Sequence, residues 1–112
     1  MRTQIELYGK KYIVRTANIL SPELSPVSGQ THYGVVNFST NEIVIADSLS
    51  NERFMQTIRH EIAHAVFNFT CQDLEHYTEE KVCDIIGIHC GTIQLLAEQV
   101  FEEWKPFKIN ID

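Results

Sequence analysis

This sequence has no long apolar run, no apolar stretch near its amino terminus and few basic residues. No apolar run approaches the length of a membrane-spanning helix, and the amino terminus alternates polar and apolar residues where a signal peptide would have an apolar stretch. Lysine and arginine number 9 against 15 aspartates and glutamates, which gives a net charge of −6. Because nucleic-acid binding needs a basic face that neutralises phosphates, this balance argues against nucleic acid as the main partner. We expect a cytoplasmic protein that binds neither membranes nor nucleic acid.

Cysteine is also scarce. Cys71, Cys83 and Cys90 are the 3 cysteines of the chain, and no Cys-x-x-Cys pair is present, which argues against a zinc site built from thiolates. An odd count without a secretion signal favours reduced thiols. Cys83 and Cys90 lie too far apart along a predicted helical segment to form a disulfide. We interpret the cysteines as small buried apolar residues.

The 112 residues, 44% of them hydrophobic, predict one globular domain over 1–112. Segments rich in β-branched and aromatic residues flank the proline-containing loop Ser21–Gly29, and everything from Asn51 onward has helical periodicity. The predicted fold class is α+β, in which antiparallel hairpins form a small twisted sheet packed on two helices. The predicted strands are Gln4–Tyr8 and Lys11–Arg15 around a Gly9-Lys10 turn, then Tyr33–Phe38 and Glu42–Ala46 around Ser39–Asn41.

Two helices are predicted, each with an apolar side for the core. The first opens at Ser50 or Asn51, both good N-caps. The second opens after Thr78 and ends near Lys105, because Pro106 cannot continue a helix interior. The apolar side of the first helix contains Phe54, Ile58, Ile62, Ala65, Val66 and Phe69. The apolar side of the second contains Val82, Ile86, Ile93, Ala97, Val100 and Trp104.

The first helix carries the segment His60-Glu61-Ile62-Ala63-His64, with both histidines nearly opposite its core residues. Residues four apart stand one turn apart on a helix, so the two imidazoles are close enough to share one metal ion. Zinc accepts neutral imidazoles, and the glutamate beside the first is placed to take a proton from zinc-bound water. Two ordinary, partly buried histidines are the alternative interpretation. The flanking of Glu61 by both histidines favours the metal site.

A catalytic zinc needs a third protein ligand, and Glu79 and Glu80 at the start of the second helix are the candidates. Glu79 is explained by the helix dipole alone. Glu80 has Asp84 one turn away, and two such carboxylates repel unless a positive charge offsets them. We therefore expect Glu80 to bind zinc and Asp84 to hold a histidine N–H. Gly87 and Gly91, on the same side, predict a close approach of the first helix, since a glycine inside a helix costs about 1 kcal/mol.

The segments His60–His64 and Glu80–Gly87 together resemble the gluzincin arrangement, in which an HExxH helix is completed by the glutamate of an ExxxD segment on the next helix. The small size and the strands leading into the first helix are similar to minimal gluzincins and to ImmA/IrrE-type peptidases, common in phages and mobile elements. The resemblance implies a zincin-like fold with one catalytic zinc ion bound by His60, His64 and Glu80. It implies Glu61 as general base and then acid, and Asp84 as the residue that orients one histidine. The chain lacks the leucine–methionine–proline ending that often follows the third ligand in ImmA/IrrE proteins.

The implied activity is zinc-dependent hydrolysis of peptide bonds within a peptide or protein substrate. The oxyanion needs a further donor, for which the candidates are His76, Tyr77, Tyr33 and His32. We expect the substrate to lie along an exposed strand edge in the Tyr33–Ala46 hairpin by β-augmentation. His89 projects away from the Glu80 side of the second helix and is excluded as a ligand.

Two alternatives stay open. The first is a zinc-stabilised protein-interaction module, an inactive or latent relative of such peptidases. The presence of Glu61 argues against it, because a purely structural site has no use for a base that binds no metal. The second is another HExxH hydrolase such as a peptide deformylase, which would place a cysteine ligand upstream of the histidines. All 3 cysteines here lie downstream.

Overall fold

Four strands precede two helices along the chain. The computed structural model describes residues 1–26, 29–70 and 78–108, with the backbone alone described for 106–108. The elements are β1 (Arg2–Leu7), β2 (Lys10–Ala17), β3 (Gly34–Asn37), β4 (Glu42–Ala46), α1 (Asn51–Thr70) and α2 (Glu79–Lys108). The α+β class and the order of strands before helices are confirmed. Neither helix of the described part of the chain is long and apolar enough to cross a membrane.

The strands form one four-stranded sheet in the order β1-β2-β4-β3. Both predicted antiparallel hairpins are present, since β1 pairs with β2 and β3 pairs with β4. The hairpins join through a parallel pairing of β2 with β4, which the prediction of antiparallel hairpins did not contain. Parallel neighbours need a long connection, and residues 18–41 supply it, with β3 folded back on the outer side of β4. β3 is therefore an edge strand of the sheet.

The turn between β1 and β2 lies at Tyr8-Gly9, one residue earlier than predicted. Tyr8 and Gly9 have φ angles of 50° and 85°, and a two-residue hairpin turn of the favoured type needs positive φ at both of its residues. Glycine adopts this conformation without strain, whereas tyrosine rarely does. Lys10 consequently belongs to β2, where it lies opposite Leu7.

The core lies between the sheet and the two helices. α1 packs against β3 and β4, and α2 packs against α1 and β1. The N-cap of α1 is Ser50, whose Oγ accepts a hydrogen bond from the Arg53 N–H at 3.2 Å, as predicted. Burying a large apolar side chain contributes roughly 1.5–3 kcal/mol. The largest such side chains are Tyr12, Phe54, Leu7, Leu24, Ile43, Ile45, Ile58, Ile62, Val14, Val66 and Val100.

The predicted apolar sides are correct for most of α1 and for the second half of α2. Phe69 is an exception, because it is 49% exposed in the last turn of α1 and its ring contacts Tyr8, with centroids 5.2 Å apart. Ile86 is also wrong as a core residue, since it is exposed while Ile85 is buried. Neighbouring residues on a helix point about 100° apart, so this difference is a rotation of the buried side by one residue.

α2 is longer than predicted, and its two glycines are not packed against α1. It continues through Pro106 to Lys108, beyond the predicted end near Lys105. A side-chain carbon placed on Gly87 or Gly91 would meet nothing within 4 Å. The predicted close approach of α1 at these two glycines is therefore wrong.

The described cysteines are not core residues. Cys83 and Cys90 are free and exposed on α2, so their interpretation as buried side chains is wrong. Ile86 and Ile88, on the same half of α2, are exposed as well. Cys71 lies outside the described residues.

Candidate active site

Two imidazoles meet on the outer side of α1. The Nε2 atoms of His60 and His64 are 3.1 Å apart, and the ring centroids are 4.8 Å apart with the planes at 76°. Both histidines are exposed, whereas Ile58 and Ile62 are buried against the sheet. The placement of the pair one turn apart, away from the core, is as the helical periodicity predicts.

The histidine pair has suitable geometry for two ligands of one zinc ion. The two Nε2 atoms, 3.1 Å apart, would hold one zinc ion, whose usual protein ligands include neutral imidazole nitrogens. Partial desolvation on the cleft side lowers the pKa of His64, and the nearby His60 lowers it further. A lowered pKa favours the neutral imidazole, the form that binds metal. In the metal-free protein the same contact is a hydrogen bond from one Nε2–H to the other ring.

Glu61 is a buried carboxyl next to the histidine pair. Its side chain is 5% exposed, and burial raises its pKa to about 7. Among the residues that the structure describes, no hydrogen bond or ion pair reaches this carboxyl, so desolvation is the cause of the shift. A group that takes up and releases a proton near neutral pH is suited to general acid–base catalysis.

Glycine at position 34 lets the edge strand approach Glu61. A Cβ at Gly34 would lie 2.7 Å from Thr57 Cγ2, 3.0 Å from Glu61 Cγ and 3.0 Å from Ile45 Cδ1. No side chain fits in this space, so β3 and α1 can pack this closely only with glycine here. Gly34 was not among the predicted site residues. The available signal was a glycine beside a β-branched segment, which often marks a close backbone approach.

Two adjoining clefts lie between α1 and β3. Both are lined by Gly34, His60 and Glu61, together with His32. The first lies nearer the start of α1 and is called the amino-terminal cleft. It has a volume of about 190 Å³, and its remaining lining residues are Tyr33, Arg53, Gln56 and Thr57. The carboxyl-terminal cleft, about 370 Å³, is completed by Val35, Val36, Phe38 and His64. The candidate catalytic residues therefore stand where the two clefts join, with space on either side.

The outer side of β3 presents backbone groups that have no hydrogen-bond partner within the described residues. The Ala46 N–H donates to the Tyr33 carbonyl at 2.8 Å, which makes these two residues a hydrogen-bonded pair of the β3–β4 ladder. Hydrogen-bonded pairs alternate along antiparallel strands, so Val35 also bonds to β4. The N–H and C=O groups of Gly34 and Val36 then point away from β4. An edge of this kind can pair with a further strand.

The predicted third ligand is not brought to the histidine pair. Glu80 and Asp84 are exposed in the first turns of α2. The N-cap of α2 is Thr78, whose Oγ1 accepts a hydrogen bond from the Lys81 N–H at 3.2 Å, as predicted. Within 1–26, 29–70 and 78–108, no three histidine, cysteine, aspartate or glutamate side chains are grouped so that they could hold a metal ion. Two of the three predicted ligands are therefore together.

The candidate oxyanion donors have different positions. Tyr33 is 46% exposed and lines the amino-terminal cleft, while His32 lines both clefts. His76 and Tyr77 lie outside the described residues. His89, excluded as a ligand on sequence grounds, is hydrogen-bonded through Nδ1 to the tyrosine hydroxyl of the β1–β2 turn.

Comparisons of the chain with protein-family models, with curated proteins and with solved structures found no match. No family can therefore be stated for this chain from relatives. The histidine pair, the buried glutamate and the open strand edge are the observations that bear on its function.

Proposed function

We propose that the protein is a zinc-dependent endopeptidase of the gluzincin type with a zincin-like fold. The observation that carries the proposal is the meeting of three features at one place. These are a histidine pair 3.1 Å apart, a buried glutamate whose pKa is about 7, and the edge strand of the sheet. His60 and His64 would hold the zinc through Nε2. When bound, zinc supplies a Lewis acid that acidifies water and polarises a carbonyl group.

Glu61 carries out the proton transfers. Its carboxylate accepts a proton from the attacking water and then delivers it to the leaving amine. Burial beside Gly34 and Thr57 raises the pKa of this carboxyl to about 7 in the protein without metal. A structural metal site needs no such group. The peptidase is therefore favoured over a zinc-stabilised interaction module.

β3 supplies the binding edge for an extended substrate. A peptide strand would pair with the outward N–H and C=O groups of Gly34 and Val36 by β-augmentation. We expect antiparallel pairing, which is slightly more stable per residue than parallel pairing. The peptide would then pass through both clefts and across the histidine pair. Backbone pairing gives affinity, and the two clefts give side-chain preference.

We propose Glu80 as the third zinc ligand, with Asp84 orienting one histidine; both side chains would have to move to the histidine pair when zinc binds, because the described structure does not group them with it. This part of the proposal rests on the resemblance to gluzincins and on the two carboxylates one turn apart on α2. Glu80→Gln should weaken zinc binding by an order of magnitude or more, measured by calorimetry, because a catalytic site normally has three protein ligands. Glu79→Gln is the matched control and should bind zinc as the parent does. The reverse result would assign Glu79 as the ligand.

The catalytic proposal is tested by comparing the parent with Glu61→Gln. Glutamine has the same shape but accepts no proton, so zinc binding should persist while hydrolysis falls by about 100-fold or more. A cell extract is incubated with each zinc-loaded protein, and new amino termini are identified by mass spectrometry. His64→Ala should lose both zinc and cleavage. New termini that appear equally with parent and Glu61→Gln would contradict the peptidase, and zinc binding without any Glu61-dependent cleavage would favour the interaction module.

A further inference from the structure

The amino-terminal cleft contains one cationic side chain. Arg53 is the only lysine or arginine among its lining residues. The guanidinium lies over the ring of Tyr33, 5.0 Å from the ring centroid, and this contact restricts its orientation at the end of β3. In the part of the chain that the structure describes, the ion pairs all involve Arg15, so Arg53 has no carboxylate partner there.

The neighbouring side chains add uncharged hydrogen-bonding groups. Gln56 and His32 line the same cleft as Arg53. An arginine can hold a carboxylate through two parallel N–H bonds, and an amide or imidazole N–H can add a third. In a chain of net charge −6, a cleft arginine that has no ion-pair partner among the described residues attracts an anionic group.

The carboxyl-terminal cleft has a different character. Val35, Val36 and Phe38 give it an apolar wall, and no lysine or arginine lines it. Phe38 is 41% exposed, so its ring is accessible to a bound molecule. The groove along β3 is therefore cationic on one side of the histidine pair and apolar on the other.

We infer that Arg53 is a specificity-determining residue that binds a substrate carboxylate on the carboxyl-terminal side of the cleaved bond. This inference rests on the proposed peptidase function. A substrate strand antiparallel to β3 runs from the Phe38 end toward the Tyr33 end, so its carboxyl-terminal part occupies the cleft that contains Arg53. The carboxylate belongs to an aspartate or glutamate side chain or to the chain terminus, and both present the same chemistry to a guanidinium. The amino-terminal part of the substrate then lies in the carboxyl-terminal cleft, whose apolar wall suits an apolar side chain.

A peptide library digested by the zinc-loaded parent tests the side-chain preference. Aspartate and glutamate should be enriched on the carboxyl-terminal side of the cleaved bonds. A cleaved peptide is then made in three forms, with the acidic side chain, with the matching amide, and with no acidic side chain but a free terminal carboxylate. For the parent, kcat/KM should be at least tenfold higher for one or both carboxylate forms than for the amide form. The preferred form identifies whether the carboxylate comes from a side chain or from the chain terminus. Arg53→Gln should remove the ratio, and Arg53→Glu should instead favour a fourth form of the peptide that carries lysine at this position.

The matched control is Arg59→Gln. It removes the same charge from the same helix, but Arg59 lies near Gln94, with a 3.4 Å contact, and lines neither cleft. We expect this variant to retain the preference of the parent. A loss of preference as large as that of Arg53→Gln would show an effect of net charge and overturn the inference. Retention of the preference in Arg53→Gln would overturn it equally.

A binding measurement separates the inference from catalysis. Zinc-loaded Glu61→Gln is titrated with acetyl-Ala-Phe-Asp-Ala-amide, with its Asn counterpart, and with acetyl-Ala-Phe-Ala carrying a free terminal carboxylate. At least one carboxylate peptide should bind tenfold or more tightly than the Asn peptide, and the added Arg53→Gln change should remove the difference. Equal binding of the three peptides overturns the role of Arg53. A preserved difference without Glu61-dependent cleavage of any peptide supports the carboxylate site and overturns the peptidase.

Discussion

Gly34 sets the distance between the edge strand and the proposed general base. Its missing side chain leaves room for Thr57 and Glu61, which are the buried polar residues that the structure describes on α1. Both the desolvation of Glu61 and its position beside the strand edge depend on this contact. One small residue therefore sets the desolvation of Glu61 and, in the proposed peptidase, the distance between this carboxyl and the substrate edge.

Gly34→Ala tests this dependence. The added methyl group would lie 2.7 Å from Thr57 Cγ2 and 3.0 Å from Glu61 Cγ, so β3 or α1 must shift. We expect the free energy of unfolding to fall by about 1–3 kcal/mol and hydrolysis to fall more than zinc binding. Urea unfolding, zinc calorimetry and peptide hydrolysis measure the three effects. Gly87→Ala is the control, because its new methyl group would meet nothing within 4 Å; equal losses in both variants would contradict the packing argument.

The part of the site that lies within one helix could be predicted from the sequence. Helical periodicity alone places His60 and His64 on one side of α1 and Ile58 and Ile62 on the other. The approach of Gly34 could not be predicted, because it depends on which strand of the sheet lies beside α1. Local patterns specify hairpins and helices, but no local pattern specifies that β3 is at the edge.

At the scale of the elements, β3 combines a side that pairs with β4 and an outer side that we propose as the binding edge. Alternate residues bond to β4, and the residues between them present N–H and C=O groups outward. The strand is only 4 residues long, so it offers few outward groups for unwanted pairing. The two hairpins were predictable from their alternating segments and turns. Their parallel junction was not, because the long connection between β2 and β4 has no signature that specifies strand order.

Val36→Pro tests the outward edge. Proline removes an N–H that points away from β4, and edge strands tolerate proline at such positions. We expect the unfolding free energy to change by about 1 kcal/mol or less, and kcat/KM for peptides to fall at least tenfold. Val35→Pro is one control, because it removes an N–H that bonds to β4 and should destabilise the fold. Val36→Ala is the other, because it keeps the N–H and measures the effect of losing the side chain alone. Unchanged peptide hydrolysis in folded Val36→Pro would contradict substrate pairing with β3.

At the scale of the whole molecule, the site imposes a cost on the metal-free fold. The Glu61 carboxylate is buried without a described partner, and burial of a charge is unfavourable. His64 has the opposite dependence on pH, since its lowered pKa disfavours the protonated ring in the folded state. A bound cation would offset the charge of Glu61 and favour neutral histidines. The free energy of unfolding therefore depends on the protonation of Glu61 and His64.

Glu61→Gln should make this link measurable in the metal-free protein. Because the folded-state pKa of Glu61 is raised from 4.5 to about 7, the folded protein holds this proton more tightly than the unfolded chain does. The parent should therefore lose stability relative to Glu61→Gln as the pH rises from 4.5 to 7, and the difference should stay constant above that range. We expect the difference to grow by on the order of 2 kcal/mol, allowing for water that reaches the carboxyl from the clefts.

The contribution of His64 is present in both proteins and cancels in this difference. Urea unfolding with a chelator at pH values from about 5 to about 8 gives the measurement, and Glu103→Gln, which removes an exposed carboxylate, reports the effect of net charge alone. A stability difference that does not vary with pH would mean that Glu61 is hydrated in the folded protein. The proposed base would then lack the desolvation that raises its pKa toward neutral pH.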